Sequence, residues 1–176
     1  MRKLLFIAGT ALIFMSNTIM ENPLLRESSA AFGAPEFDKI KNEHYLPAFE
    51  VGIAEGKAEI DAIVANPEEP TFENTVEAME NAGQTLNRVA GIFFNLMEAH
   101  TNDQLQAIAE KVSPMLTEYS MYVSLNLPLF QRVKKVYEKK DKLNLEPDQM
   151  KLLEDTYKDF VRGGANLSDA EKEKYS

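Results

Sequence analysis

The chain contains no cysteine. Disulfides, thiolate zinc sites and cysteine nucleophiles are therefore excluded. Histidine is nearly as scarce, with His44 and His100 the only two. A zinc site would have to lean on carboxylates. Positive charge is thin: 19 Lys and Arg stand against 28 Asp and Glu, for a formal net charge of −9. The densest basic patch is Lys134, Lys135, Lys139, Lys140 and Lys142. It falls at the end of an expected helix, where cations complement the macrodipole. Nucleic-acid binding needs a basic face, so no nucleic-acid partner is expected. Strand signals are missing too: the sequence has no period-two run, no Asn-Gly hairpin and no internal repeat of fixed length.

What remains is enough for a packed domain. Hydrophobic residues make up 44% of 176, which argues against general disorder. The start has a separate character. Arg2 and Lys3 precede an apolar run from Leu4 to Met15, broken only by Gly9 and Thr10. That is the shape of a secretory signal, and it is too short to span a bilayer. Residues 1–18 are read as a signal peptide with an open cleavage point, since no clean A-x-A follows. Ser16 and Asn17 stand where a lipoprotein would carry cysteine. The expectation is an exported, periplasmic protein with no stable membrane span once the signal is removed. Residues 19–42 mix Pro, Ser and Gly and read as an extended lead-in, and residues 43–176 as a helical domain.

From Leu46 the pattern is helix after helix. Pro47 suits a first helical position, and Leu46, preceding proline, is biased to an extended conformation. Phe49, Ile53, Gly56, Ile60 and Ile63 then mark one helical face, ended by Asn66–Pro67. Thr71 is an expected N-cap with Glu73 in the first turn. The stripe Phe72, Val76, Met79, Gly83, Leu86, Ala90, Phe93 and Met97 follows. It predicts one continuous helix of about 26 residues, roughly 39 Å long. Burying such a length calls for antiparallel neighbours. Thr101 and Gln104 form a capping box for the next helix, which holds Leu105, Ile108, Val112, Met115, Tyr119 and Tyr122. Pro114 should kink it. A shorter helix after Asn126 carries Phe130, Val133 and Tyr137. Pro147 opens another with Met150, Leu153, Tyr157 and Phe160, closed by Gly163–Gly164. Ser168 and Glu171 make a further capping box, with Leu167 as its staple. A well-marked helix start so close to Ser176 suggests a polypeptide that continues. The expected fold is all-α, an antiparallel helical array.

Chemistry is harder to find. "NEHYLPAFE" sets His44 between Glu43 and Glu50. A metallopeptidase helix needs H-E-x-x-H, with both histidines on one face and a glutamate to activate water. Here Glu43 precedes His44, and Ala48 stands four residues on. His44 therefore reads as a residue at the start of a helix, bonded to backbone. His100 lies at a helix end, which suits imidazole. Glu68–Glu69, Glu77–Glu80 and Asp169–Glu171 read as acidic surface or helix starts. No Gly-rich phosphate loop precedes any helix, and Gly163–Gly164 follows one. Phe72, Phe93, Phe94, Phe130 and Phe160 read as core. No catalytic, cofactor-binding or metal-binding residue is assigned, and no H-E-x-x-H occurs.

The wording of the sequence adds what its chemistry does not. "EHYLPAF", "PTFENT" and "RGGANL" stand in order within a stretch from Phe37 to Ser168. This stretch resembles the start of the thimet-oligopeptidase-like zinc metallopeptidases, and among them the bacterial peptidyl-dipeptidases, or dipeptidyl carboxypeptidases. The resemblance implies a mostly helical, clam-like enzyme whose two lobes flank a channel with zinc on its floor. It implies a zinc held by the H-E-x-x-H histidines and a later glutamate, and release of dipeptides from the C-termini of short peptides. By the same resemblance, residues 43–176 are the N-terminal channel-wall part of one lobe, truncated before the catalytic region. Zinc is then a cofactor of the longer enzyme and not of this chain, and the partners are short peptides and the missing C-terminal catalytic region. The chain by itself is expected to be inactive. A different class of reading is a free-standing helical module that binds peptides or regulates a related enzyme.

Overall fold

A computed structural model describes residues 22–165. The signal-like start and the cap expected at Ser168 and Glu171 lie outside the described residues. Within them the fold is all-α, with helices and turns and no strand. The long helices are α1 (Tyr45–Ala65), α2 (Gln84–His100), α3 (Asp103–Ser124), α4 (Leu127–Tyr137) and α5 (Pro147–Arg162). They fall into two compact units. The first takes the described residues up to Ala54 together with Gln84–Ser113, and the second takes Glu55–Gly83 and the described residues from Pro114 onward.

The first unit is built on aromatic contacts. Tyr45, Phe49 and Phe93 are fully enclosed. Phe93 meets Tyr45 at 5.0 Å and Phe49 at 5.4 Å, both edge to face, the geometry that ring quadrupoles favour. A Cβ on Gly52 would lie 2.9 Å from the Leu86 Cα. Glycine there lets the backbones of α1 and α2 approach.

The start of α1 differs from the expectation. A 3₁₀ turn, Asn42–His44, runs directly into the helix at Tyr45, so Leu46 is helical and Pro47 is the third α-helical residue. The first four helical N–H groups have no intrahelical partner, so proline still removes no bond there. Its steric bias on Leu46 is overridden by the burial of Tyr45, Ala48 and Phe49 at 0% exposure. The start of α3 is also shifted. Asn102 Oδ1, not Thr101, accepts the Leu105 N–H at 3.0 Å. Asparagine caps at least as well as threonine. Gln104 Oε1 instead accepts from Asn42 Nδ2 at 2.8 Å.

The second unit holds two apolar clusters. One joins Ile60, Ile63, Leu129, Phe130, Val133, Phe160 and Ala165. The other joins Phe72, Val76, Val136 and Leu153. The continuous helix expected from Phe72 to Met97 is broken. It begins as a π-helical segment, Phe72–Glu77, runs on as Ala78–Glu80, and stops in a turn before α2 starts anew at Gln84. Gly83 makes the break with φ 71°, a conformation open to glycine at little cost. Its N–H donates to Glu59 Oε2 at 2.6 Å. The apolar stripe survives across the break because spacing alone does not record a reversal of φ.

Several boundaries match the expectation. Thr71 Oγ1 accepts the Asn74 N–H, and Asn74 Oδ1 accepts the Thr71 N–H in return. Asn126 caps α4 through the Leu129 N–H. Pro147 opens α5, and α3 extends past Tyr119 and Tyr122 to Ser124. Gly164, at φ 84°, closes α5, with the Ala165 N–H returning to the Phe160 carbonyl at 3.0 Å.

Candidate functional site

His44 ends the turn before α1, where its Nδ1 accepts the Lys41 N–H at 3.0 Å. The His44 N–H donates back to the Lys41 carbonyl at 3.0 Å. A ring nitrogen committed to a backbone N–H is not offering its lone pair to a metal. His100 is the exposed last residue of α2. Among the described residues no group of three His, Cys, Asp or Glu is placed to hold a metal ion. The described residues therefore do not fit a zinc site.

The acidic pairs separate into different roles. Glu68 and Glu69 sit in the loop between α1 and the π-helical segment. Lys139 Nζ lies 3.0 Å from Glu69 Oε1, and that hydrogen bond holds the Glu69 carboxyl below its ordinary range. Glu77 and Glu80 are exposed. Asp169 and Glu171 lie outside the described residues. The phenylalanines are distributed among separate packing groups: Phe93 in the first unit, Phe72, Phe130 and Phe160 in the clusters of the second, all at most 4% exposed. Phe94 is the exception at 39%, resting an edge against Phe93 at 5.2 Å.

Sequence reasoning missed a nearly buried charged side chain that ties distant parts of the second unit together. Arg132, on α4, is only 9% exposed. Its Nη1 donates to the Asn66 carbonyl at 2.8 Å, and its Nη2 to Asn74 Oδ1 at 3.1 Å. The Glu68 carbonyl accepts more weakly, at 3.4 Å. Asn74 Nδ2 then donates to the Glu69 carbonyl at 3.0 Å. One guanidinium thus holds the whole Asn66–Asn74 loop. A signal was present: Arg132 stands three residues after Leu129 and four before Val136, on the apolar face of α4. An arginine there has to find acceptors.

The basic patch is largely compensated. Lys134 pairs with Glu138 at 3.9 Å and Lys140 with Glu154 at 2.5 Å. The bond to Glu154 raises the Lys140 ammonium pKa, and the bonds from Lys140 first and Lys158 second hold the Glu154 carboxyl below its ordinary range. In the first unit, Asn22 Nδ2 donates to the His44 carbonyl at 2.8 Å and Asn22 Oδ1 accepts the Leu24 N–H at 3.0 Å. Arg88 Nη2 reaches the Leu24 carbonyl at 3.2 Å. The segment before α1 is therefore docked, with Leu24 1% exposed. A cleft of about 100 Å³ opens beside it, lined in part by Arg26, Ser28, Glu36 and Arg88. A shallower groove is lined by Lys41, Asn42, Glu43, Gln104, Ile108 and Lys111. These arrangements anchor helices and loops. None sets a base against a nucleophile.

The class defined so far is an all-α domain whose polar network positions backbone. The neurolysin/thimet oligopeptidase N-terminal domain matches residues 51–172, and the chain belongs to that family. It is 42% identical over 153 residues to a dipeptidyl carboxypeptidase of Escherichia coli (strain K12), which covers 87% of this chain and 22% of that protein. The corresponding Salmonella typhimurium protein is 41% identical over 151 residues, 86% of this chain and 22% of that one. An oligopeptidase A of S. typhimurium is 26% identical over 156 residues, 89% of this chain and 22% of its own length. The chain thus spans about a fifth of the relatives it matches.

Proposed function

We infer that this chain is the N-terminal, channel-wall region of a zinc-dependent peptidyl-dipeptidase that releases C-terminal dipeptides from short peptides. One observation carries the reading. Identity is 42% to a dipeptidyl carboxypeptidase and 26% to an oligopeptidase A, over nearly the same span of this chain. The longer enzyme would use zinc to activate water and polarise a peptide carbonyl. This chain contributes packing surfaces to it, held by Arg132 in one unit and the Asn22–His44–Arg88 links in the other. The site of action is exported and periplasmic, on the strength of Arg2, Lys3 and the apolar run that follows.

The test compares two proteins on a blocked tripeptide with a free C-terminus. One is the 176-residue chain; the other is the product of its gene read into an H-E-x-x-H helix. Dipeptide release by the longer protein, abolished by a chelator and absent from the shorter one, is the expected result. Zinc-dependent cleavage by the purified 176-residue chain would overturn the division of labour proposed here.

A further inference from the structure

We propose that His44 is a protonation-sensitive latch on the segment that precedes α1. The turn 41–44 is closed by a reciprocal pair: His44 N–H to the Lys41 carbonyl, and Lys41 N–H to His44 Nδ1, each at 3.0 Å. The second bond exists only while Nδ1 carries a lone pair. A protonated imidazole puts a hydrogen on Nδ1, and donor then faces donor. Imidazole is the side chain whose ordinary titration falls near pH ~6.5.

The turn leads further. The His44 carbonyl holds Asn22, which is 2% exposed, and Asn22 caps Leu24. The Leu24 carbonyl in turn takes Arg88 from α2. Beyond the turn each link has one bond to the next, so a turn that opens at His44 loosens the anchor of Asn22. The groups around the imidazole are few. On its own turn, Lys41 and Glu43 pair at 3.7 Å. From the lead-in the reaching residue is neutral Asn22, and from the start of α3 they are neutral Asn102 and Gln104. Asp103 lies between those two in the first turn of α3, and Lys111 lines the same groove. The latch stands independently of the peptidase reading.

The experiment is amide hydrogen exchange on the 176-residue chain, expressed as protection factors at about pH 7.5 and about pH 5.5, on either side of imidazole titration. Protection at Lys41 and at Leu24 should fall by about tenfold at the lower pH, the scale of one lost hydrogen bond. Protection at Val89, buried in α2, should hold. His44→Asn keeps an acceptor, Oδ1, where Nδ1 stood, but does not titrate, so its protection at Lys41 and Leu24 should be the same at both pH values. Three outcomes overturn the latch: no fall in the unsubstituted chain, the same fall in His44→Asn, or a fall at Lys41 with Leu24 unchanged.

Discussion

In the second unit one guanidinium, Arg132, gathers Asn66, Glu68 and Asn74 and so holds a whole loop. In the first, the segment before α1 is held in file, by a reciprocal pair between Lys41 and His44 and then by single bonds through Asn22 to Leu24 and Arg88. A convergent anchor concentrates its worth in one residue, and losing that residue strands several acceptors together. A serial anchor spreads its worth, so each link is individually modest but any one of them can open the chain. The first unit offsets this with its aromatic core at Tyr45, Phe49 and Phe93.

The largest expected effect sets the scale of that core. Phe93→Ala should cost about 3–5 kcal/mol by urea denaturation, the range for truncating a fully buried phenylalanine. Next comes the convergent anchor. Arg132→Met keeps the aliphatic stem but removes every donor, and should cost roughly 2–3 kcal/mol through the stranded acceptors. Asn22→Ala removes a single serial link and should cost about 1–2 kcal/mol, the worth of a cap. If Arg132→Met proved no costlier than Asn22→Ala under the same denaturant series, the contrast between convergent and serial anchoring would fail.

The smallest effect concerns Lys140 and Glu154. The Glu154 pKa is lowered in the folded chain, so its contribution is present above the unfolded carboxylate pKa and lost as pH falls through the lowered value. The Lys140 pKa is raised, so its contribution is present below the unfolded ammonium pKa and lost as pH rises through the raised value. The stability difference between the unsubstituted chain and Glu154→Gln should therefore be flat across neutral pH and shrink at both extremes. A difference that grew on acidification would contradict the pairing.

Which parts of this could be read in advance follows from what periodicity records. Apolar spacing found the face of α1 from Phe49 to Ile63, and the caps at Thr71 and Asn126, because burial and capping are local. The same spacing ran straight through Gly83, whose role depends on the sign of φ and on Glu59, twenty-four residues away in sequence. Thr101 and Asn102 are neighbouring caps of similar merit, and the choice fell to Asn102 once Gln104 had Asn42 as a partner. His44 was legible as a backbone-bonded residue ahead of α1. Its tie to Asn22 was not, since nothing local marks a bond across 22 positions. Arg132 was visible as a charge on an apolar face, but its acceptors lie 58 to 66 residues earlier.

One aromatic contact gives the molecule an optical use. Tyr137 and Tyr157 stack with centroids 3.9 Å apart and planes 5° from parallel. The sequence contains no tryptophan, so no indole masks tyrosine absorption or emission. The stacked pair joins α4 to α5, and its coupled near-ultraviolet circular dichroism would report whether those two helices are in register, with no label attached.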